Sequence, residues 1–334
     1  MDTKIWKIAL TGGPCAGKTT ALAAITTYFG EQGFDVICLP EAATLVLNTG
    51  FSLKDFTETQ RVEFQHSVLD VLISLEDSAF RLAKTKQRPL IICDRGAPDG
   101  AAFCAPTSWE EVMERCKTNM PALRDARYDG VVHLVTAADG ASEYYGLENN
   151  LARNGTAEDA FASDKRLQEV WMGHPHFHIV GNESGFHGKI TGVLQSIENI
   201  VGVQSGERQD REIIPLDLES VPVPVQTFPV LYQHLPLPEN WEMSRLTKRG
   251  ARQQAVYYHT TVRRLQDGTP LRTDRLLDCR EYDALLLGGV VSQEEKLRHC
   301  FTWENRYFRV DVSGGHWDLH WSGGEVPGFV HFRN

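Results

Sequence analysis

The sequence predicts two domains of different class: an α/β P-loop NTPase domain with a parallel, doubly wound sheet over residues 1–203, and a mainly antiparallel β domain over residues 210–334. Three observations carry this. The octet Gly12-Gly13-Pro14-Cys15-Ala16-Gly17-Lys18-Thr19 fits G-x-x-x-x-G-K-[ST] at every fixed position. Short apolar runs at Ile5–Leu10, Asp35–Leu39, Leu90–Cys93, Val131–Val135 and Phe177–Val180 are separated by helix-forming stretches, the alternation of a parallel sheet. Past the polar stretch 204–212, six of the fifteen prolines fall between Pro215 and Pro238, and short alternating runs follow.

At 334 residues the chain exceeds one average core. Hydrophobic residues at 42% and charged residues at 23% are those of a globular protein, and a net charge of −10 argues against a general nucleic-acid binder. Seven cysteines without a C-x-x-C pair suggest neither a disulfide framework nor a zinc ribbon, so a reducing compartment is expected. The chain enters a strand within a few residues, and no apolar run reaches about 18 residues. A cytoplasmic protein without a transmembrane segment is the expectation.

The first element is the strand Ile5–Leu10, and Thr20–Phe29 reads as a helix stopping near Gly33. Between them Gly12 and Gly17 allow a tight loop whose N–H groups surround a phosphate above a helix N-terminus. Gly12 to Thr20 are thus the expected nucleotide contacts, with Lys18 reaching the β/γ phosphates and Thr19 offering its hydroxyl to Mg²⁺. The second strand delivers Glu41, a candidate general base or metal partner where doubly wound sheets bind ligands, and equally a first-turn glutamate favoured by the helix dipole.

Thr57 to Gln60 is a capping box opening a long helix whose apolar positions, including Val71 and Leu82, recur at three and four. Leu90–Cys93 ends in Asp94-Arg95-Gly96, the Walker B arrangement, which nominates Asp94 for Mg²⁺ and Arg95 for a phosphate. A short helix is expected from Ser108 to Lys117, capped by Ser108, and another from Thr156 to Trp171. Arg153, Lys165 and Arg166 there suit either a phosphate lid or a solvated basic face. His174, His176 and His178 alternate, which would place three imidazoles on one side of an extended segment, but no Cys or carboxylate lies at ligand spacing.

In the second domain Ala255–Leu265, Arg306–Val312 and His316–Trp321 read as antiparallel strands. Between Arg245 and Arg275 eight Lys or Arg stand against two Asp, within an acidic chain. That clustering suggests a polyanion site with Arg245, Lys248, Arg249, Arg263 and Arg275 as its candidates; docking of basic strands on the acidic first domain would use the same charges.

GGPCAGKTT, LPEAAT, CDRGAPDG, Arg153, WMGHPHFHIVGNESGF, RLTKRG and CFTWENRYFRVDV together resemble the TRPL translocation defect protein family. Its first domain is grouped with NadR-type kinases and its second half is similar to CYTH, or triphosphate-tunnel, proteins. The resemblance covers nearly the whole chain. It implies GTP and phosphoinositide binding, with a nucleotide site at Gly12 to Thr19 and Glu41, Asp94 and Arg95 around it; Arg153 stands where the family carries its lid arginine. The E-x-E-x-K motif of triphosphate-tunnel hydrolases is absent at 211–219 (REIIPLDLE), which favours anion binding without hydrolysis in the second domain. No N-K-x-D motif reads guanine, so the residues leave GTP and ATP open.

The expected function is thus Mg²⁺-dependent binding of GTP or ATP, with hydrolysis or nucleotide switching. The second domain would bind a phosphoinositide or another polyphosphate, with room for peripheral membrane contact and a trafficking role. Its alternative is a small-molecule kinase of the nucleoside or nicotinamide riboside type, in which Glu41 deprotonates the acceptor and Arg153 or Arg166 stabilises the γ-phosphoryl group.

Overall fold

Period-two alternation decides how the first sheet is buried, and it does so on both sides. In the computed structural model, which describes residues 4–53, 56–140, 156–202, 209–239, 241–250, 255–264, 270–321 and 325–333, the chain divides into two units. One comprises Met1–Gly206 and Glu304–Tyr307, the other Glu207–Trp303 and Phe308–Asn334.

The first unit holds a five-stranded parallel sheet in the order β2-β3-β1-β4-β5, with β1 Trp6–Gly12, β2 Asp35–Leu39, β3 Pro89–Asp94, β4 Gly130–Leu134 and β5 Phe177–Val180. Ile8, Leu10, Leu90, Ile92, Val132 and Leu134 pack with Ile25 and Phe29 of helix α1 (Lys18–Glu31) and Val193 and Ile197 of α7 (Gly185–Val201). The alternate residues Ala9, Ile91, Cys93 and Val131 pack with α3 (Glu58–Ala83), α4 (Pro106–Arg115) and Trp171 at the end of α6 (Ala157–Trp171). Two short helices, α2 (Ala42–Leu47) and α5 (Met120–Arg124), complete this unit. Because β1 lies between β3 and β4, the chain leaves the sheet in opposite directions on either side of it, and a crevice opens at its carboxyl end.

Three local expectations change. Helix α4 begins at Pro106 after Ala105, not at Ser108, because the fixed φ of proline suits the first helical position; Ser108 lies inside and donates to Glu58 Oε1 at 2.7 Å. The Thr57 capping box forms as read, but Val71 and Leu82 are 36% and 69% exposed, so the α3 periodicity overstates its buried face. The histidines do not share one extended face: His174 is fully buried in the turn before β5, with Nε2 3.0 Å from Tyr128 O, and only His178 lies in the strand.

The second unit is an eight-stranded sheet in the order β10-β9-β8-β7-β11-β12-β13-β6. Its strands are β6 Gln209–Glu212, β7 Gln226–His234, β8 Trp241–Arg249, β9 Val256–Arg264, β10 Pro270–Leu277, β11 Ser292–Trp303, β12 Arg306–Ser313 and β13 His316–Trp321. The pairings of β7 with β8 and β11, β8 with β9, β9 with β10, and β13 with β12 and β6 are antiparallel. Phe301, Phe308, Val310, Leu319 and Trp321 form one core; Leu246, Leu277 and Tyr282 of α8 (Cys279–Leu286) form another.

Candidate functional site

Covalent geometry shapes the loop between β1 and α1. Gly12 has φ +146°, and a Cβ there would stand 2.2 Å from Leu134 O; Gly17 has φ +88°. Neither position suits a side chain. Cys15 also adopts the left-handed region, at φ 56°. The first turn of α1 carries no acidic residue, so the positive end of its dipole is undiluted beneath the loop. Lys18 Nζ lies 3.2 Å from Gly12 O and 3.5 Å from Gly13 O, curled over the loop, while Thr19 and Thr20 are exposed.

Two buried ties hold this loop that its own sequence does not announce. Asp164, on α6, accepts from Gly13 N at 2.8 Å, Thr136 N at 3.1 Å and Gln168 Nε2 at 3.0 Å, and faces His133 Nε2 at 3.1 Å. Burial pushes the Asp164 carboxyl up, but His133 and these donors outweigh it and hold the group below its ordinary value. Thr136 Oγ1 donates to Pro14 O at 2.6 Å. Lys189 secures the segment after β4 from below, donating to Val135 O and Asn182 Oδ1.

At the end of β3, Asp94 presents a buried Oδ1 without a hydrogen-bond partner among the described residues. Burial raises its carboxyl above the usual value, with the Lys18 charge pulling the other way. A buried carboxylate oxygen without a hydrogen-bond partner, close enough to Lys18 to feel its charge, is the kind of donor that suits a hard divalent cation. Arg95 follows with φ 78°, and its backbone N–H donates to Leu10 O at 3.0 Å. Its guanidinium is buried between two carboxylates, Nε 3.2 Å from Glu41 Oε1 and Nη1 3.6 Å from Asp99 Oδ2. Asp99 in turn accepts from Thr11 Oγ1 at 2.7 Å and Trp171 Nε1 at 2.6 Å. Glu41 precedes α2 without a capping bond; its Oε2 accepts from Thr44 Oγ1 at 2.6 Å. A cleft of about 60 Å³ touches Glu41 and Arg95 and is walled by Gln65, Leu69, Phe103 and Trp109. A larger depression, about 480 Å³, lies at Gly33, Asp35 and Lys86, by the amino ends of β2 and β3 and away from this chemistry.

Glu41, Asp94, Arg95 and the loop residues thus come together at one end of the sheet. Arg153 lies outside the described residues. Of the other basic residues near it in sequence, Arg166 Nε donates to Ala102 O at 2.9 Å and Lys165 Nζ lies 3.5 Å from Asp139 Oδ2.

In the second unit the register separates the five cationic candidates. Arg245 pairs with Thr260 and Arg249 with Val256, whereas Lys248 pairs with Tyr257, Arg263 with Trp241 and Arg275 with His259. Side chains alternate, so Arg245 and Arg249 occupy one face and Lys248, Arg263 and Arg275 the other. A single face bearing all five does not exist. The Arg245 face instead gathers residues the sequence reading passed over. Tyr232 has Arg245 4.4 Å and Lys296 6.0 Å from its ring centre, and accepts at its hydroxyl from Arg298 Nη2 at 2.9 Å. Arg298 forks onto Asp311 at 2.6 and 2.7 Å, both side chains buried. Burial would raise Asp311, but hydrogen bonds from His320 and Arg298, with the charges of Arg298 and Arg309, hold its carboxyl well below the carboxylate range. Arg245 Nε is buried without a hydrogen-bond partner among the described residues, and burial lowers the affinity of that guanidinium for its proton.

A glycine loop between strand and helix at a switch point, with a lysine, a strand-end aspartate and an open helix N-terminus, defines a P-loop domain of the nucleotide- or polyphosphate-binding kind. The AAA domain model AAA_28 matches residues 7–185, more than half of the chain, and the chain belongs to that family. No curated protein matches it. Among solved structures it is similar to the crystal structure of the inorganic triphosphatase NE1496, at 12% identity over 37% of this chain and 86% of that one, with a TM-score of 0.28. It is also similar to the crystal structure of the hypothetical protein NE1496, at 13% identity over 38% and 88%, with a TM-score of 0.29. No helix among the described residues is long and apolar enough to cross a membrane.

Proposed function

We propose that the loop Gly12 to Thr20 binds GTP or ATP with Mg²⁺, and that the chain hydrolyses the nucleotide or uses it as a switch. The observation that carries this reading is the bare, buried Asp94 Oδ1 beside Lys18 at the mouth of the loop. Bound Mg²⁺ would be held by Thr19 and Asp94 and would neutralise phosphate charge. Lys18 supplies a charged donor to the β/γ phosphates, the α1 N-terminus supplies backbone N–H groups, and Asp164 anchors the loop by accepting from the Gly13 N–H. Arg95 orients Glu41 toward the crevice and Asp99 fixes Arg95 from behind. In this reading residues 210–334 bind a phosphoinositide or another polyphosphate on the face of Arg245 and Arg249, in line with the resemblance to TRPL translocation defect proteins and a role in trafficking.

Lys18→Ala tests the nucleotide site. Loss of one charge-assisted bond, worth roughly 1.5–3 kcal/mol, weakens Mg²⁺-dependent GTP and ATP binding about 10- to 150-fold by calorimetry. Unchanged affinity for both nucleotides would overturn the assignment.

The cleft beside Glu41 favours one second reading, the small-molecule kinase with Glu41 as base. Nucleotide-dependent phosphorylation of a nucleoside or of nicotinamide riboside, abolished by Glu41→Gln with nucleotide affinity intact, would select it.

A further inference from the structure

Where the end of α4 meets α3, three side chains of different chemistry converge. His66 and Asp70 stand one turn apart on the helix, with Nε2 3.6 Å from Oδ2. Cys116, the residue that ends α4, brings its Sγ to 3.4 Å from Asp70 Oδ1. All three ligand atoms lie within 4.8 Å of one another. A four-coordinate ion with bonds of about 2.0–2.3 Å to N, O and S separates its ligand atoms by roughly 3.3–3.6 Å. The 3.6 Å from His66 to one Asp70 oxygen and the 3.4 Å from Cys116 to the other are close to that spacing.

We propose that His66, Asp70 and Cys116 bind one divalent ion of the zinc class, with water completing the tetrahedron. The donor set selects the ion: thiolate and imidazole favour zinc and its borderline-soft neighbours over magnesium or calcium, which prefer all-oxygen shells. Burial and the Asp70 carboxylate push the Cys116 thiol up to about 11, so the ion must displace that proton. Cys116 sits at the C-terminal, negative end of the α4 dipole. The neighbouring Arg115 guanidinium, which would repel a cation, is engaged by Glu63 and Glu111. On binding, the Cys116 S–H bond breaks as the metal–sulfur bond forms, and its proton passes to solvent. The ion would clip α4 to α3. Both helices wall the cleft beside Glu41, through Gln65 and Leu69 on one and Trp109 on the other, so the clip sets the width of that cleft.

Co²⁺ is the probe, added to the reduced, chelator-stripped full chain. The expected result is one equivalent bound, with a thiolate-to-cobalt charge-transfer band and the intense visible bands of a four-coordinate site, both bleached by Zn²⁺. Cys116→Ser removes the charge-transfer band, and His66→Ala weakens binding at least about tenfold. Asp70→Asn, at a side chain 59% exposed, tests the third ligand without disturbing packing and also weakens cobalt binding. Cys38→Ser, at an exposed cysteine on β2, leaves the spectrum unchanged. Circular dichroism of the metal-free variants, unchanged from the parent, confirms that they fold. Absence of the charge-transfer band in the parent, or its persistence in Cys116→Ser, overturns the proposal.

Discussion

The P-loop unit and the antiparallel unit assemble charge by different routes. In the first, Glu41, Asp94 and Arg95 lie at or just past strand ends and Lys18 opens α1 after the loop that follows β1, and parallel strands bring those ends to one edge. In the second, Arg245, Lys296, Arg298 and Asp311 lie in the middle of their strands and meet because the register puts them on one face. A site at strand ends tolerates a shift of register; a site on a sheet face reverses with a slip of one residue.

That contrast sets the order of expected effects. The largest is Asp311→Ala, which leaves the Arg298 charge buried without its fork and costs about 3–5 kcal/mol of stability in denaturant unfolding. A cost under about 1 kcal/mol would mean the two side chains are well solvated. The sign with pH is fixed: Asp311 titrates lower folded than unfolded, so its contribution is complete above the ordinary carboxylate value near ~3.9 and fades as the solution is acidified below it.

Next comes the comparison of Arg245→Ala with Arg263→Ala. If the face decides, Arg245→Ala lowers tripolyphosphate affinity about tenfold or more, while Arg263→Ala, exposed on the other face, changes it less than about twofold. Equal losses would restore a cluster defined by sequence proximity alone.

A third effect, read as a slope with pH, concerns Lys189. Burial lowers its ammonium from 10.5 to about 8, so between those values the unfolded chain binds the extra proton and stability rises with pH. Relative to Lys189→Met, the parent gains no more than about 1.4 kcal/mol per pH unit across that window. A flat difference from pH 8 to 10 would show a solvated amine.

How much of this could be read in advance follows from distance along the chain. The loop and the five parallel strands are legible because eight contiguous residues and short apolar runs specify them. Asp99 and Asp164 were missed because their partners Thr11 and Gly13 lie 88 and 151 positions away. Nothing in the neighbourhood of Asp164, midway along an acidic-looking helix, distinguishes it from a solvated carboxylate. The basic stretch is legible as composition but not as a surface, because alternation and the strand register put Arg245 and Arg249 on one face and Lys248, Arg263 and Arg275 on the other. Lys165 and Arg166, adjacent in sequence, turn to Asp139 and Ala102 respectively, which helical rotation of about 100° per residue requires.

Arg95 holds a left-handed backbone at the one turn that aims both it and Asp94 into the crevice. A non-glycine residue there stores on the order of 1–2 kcal/mol of strain. Glycine at this position would relieve that strain. The same edit would strip Glu41 and Asp99 of the cation between them and leave two carboxylates facing a phosphate site. Leaving a buried carboxylate without its cation costs about 3–5 kcal/mol, more than the strain relieved, so stability and nucleotide binding both select Arg95 over glycine.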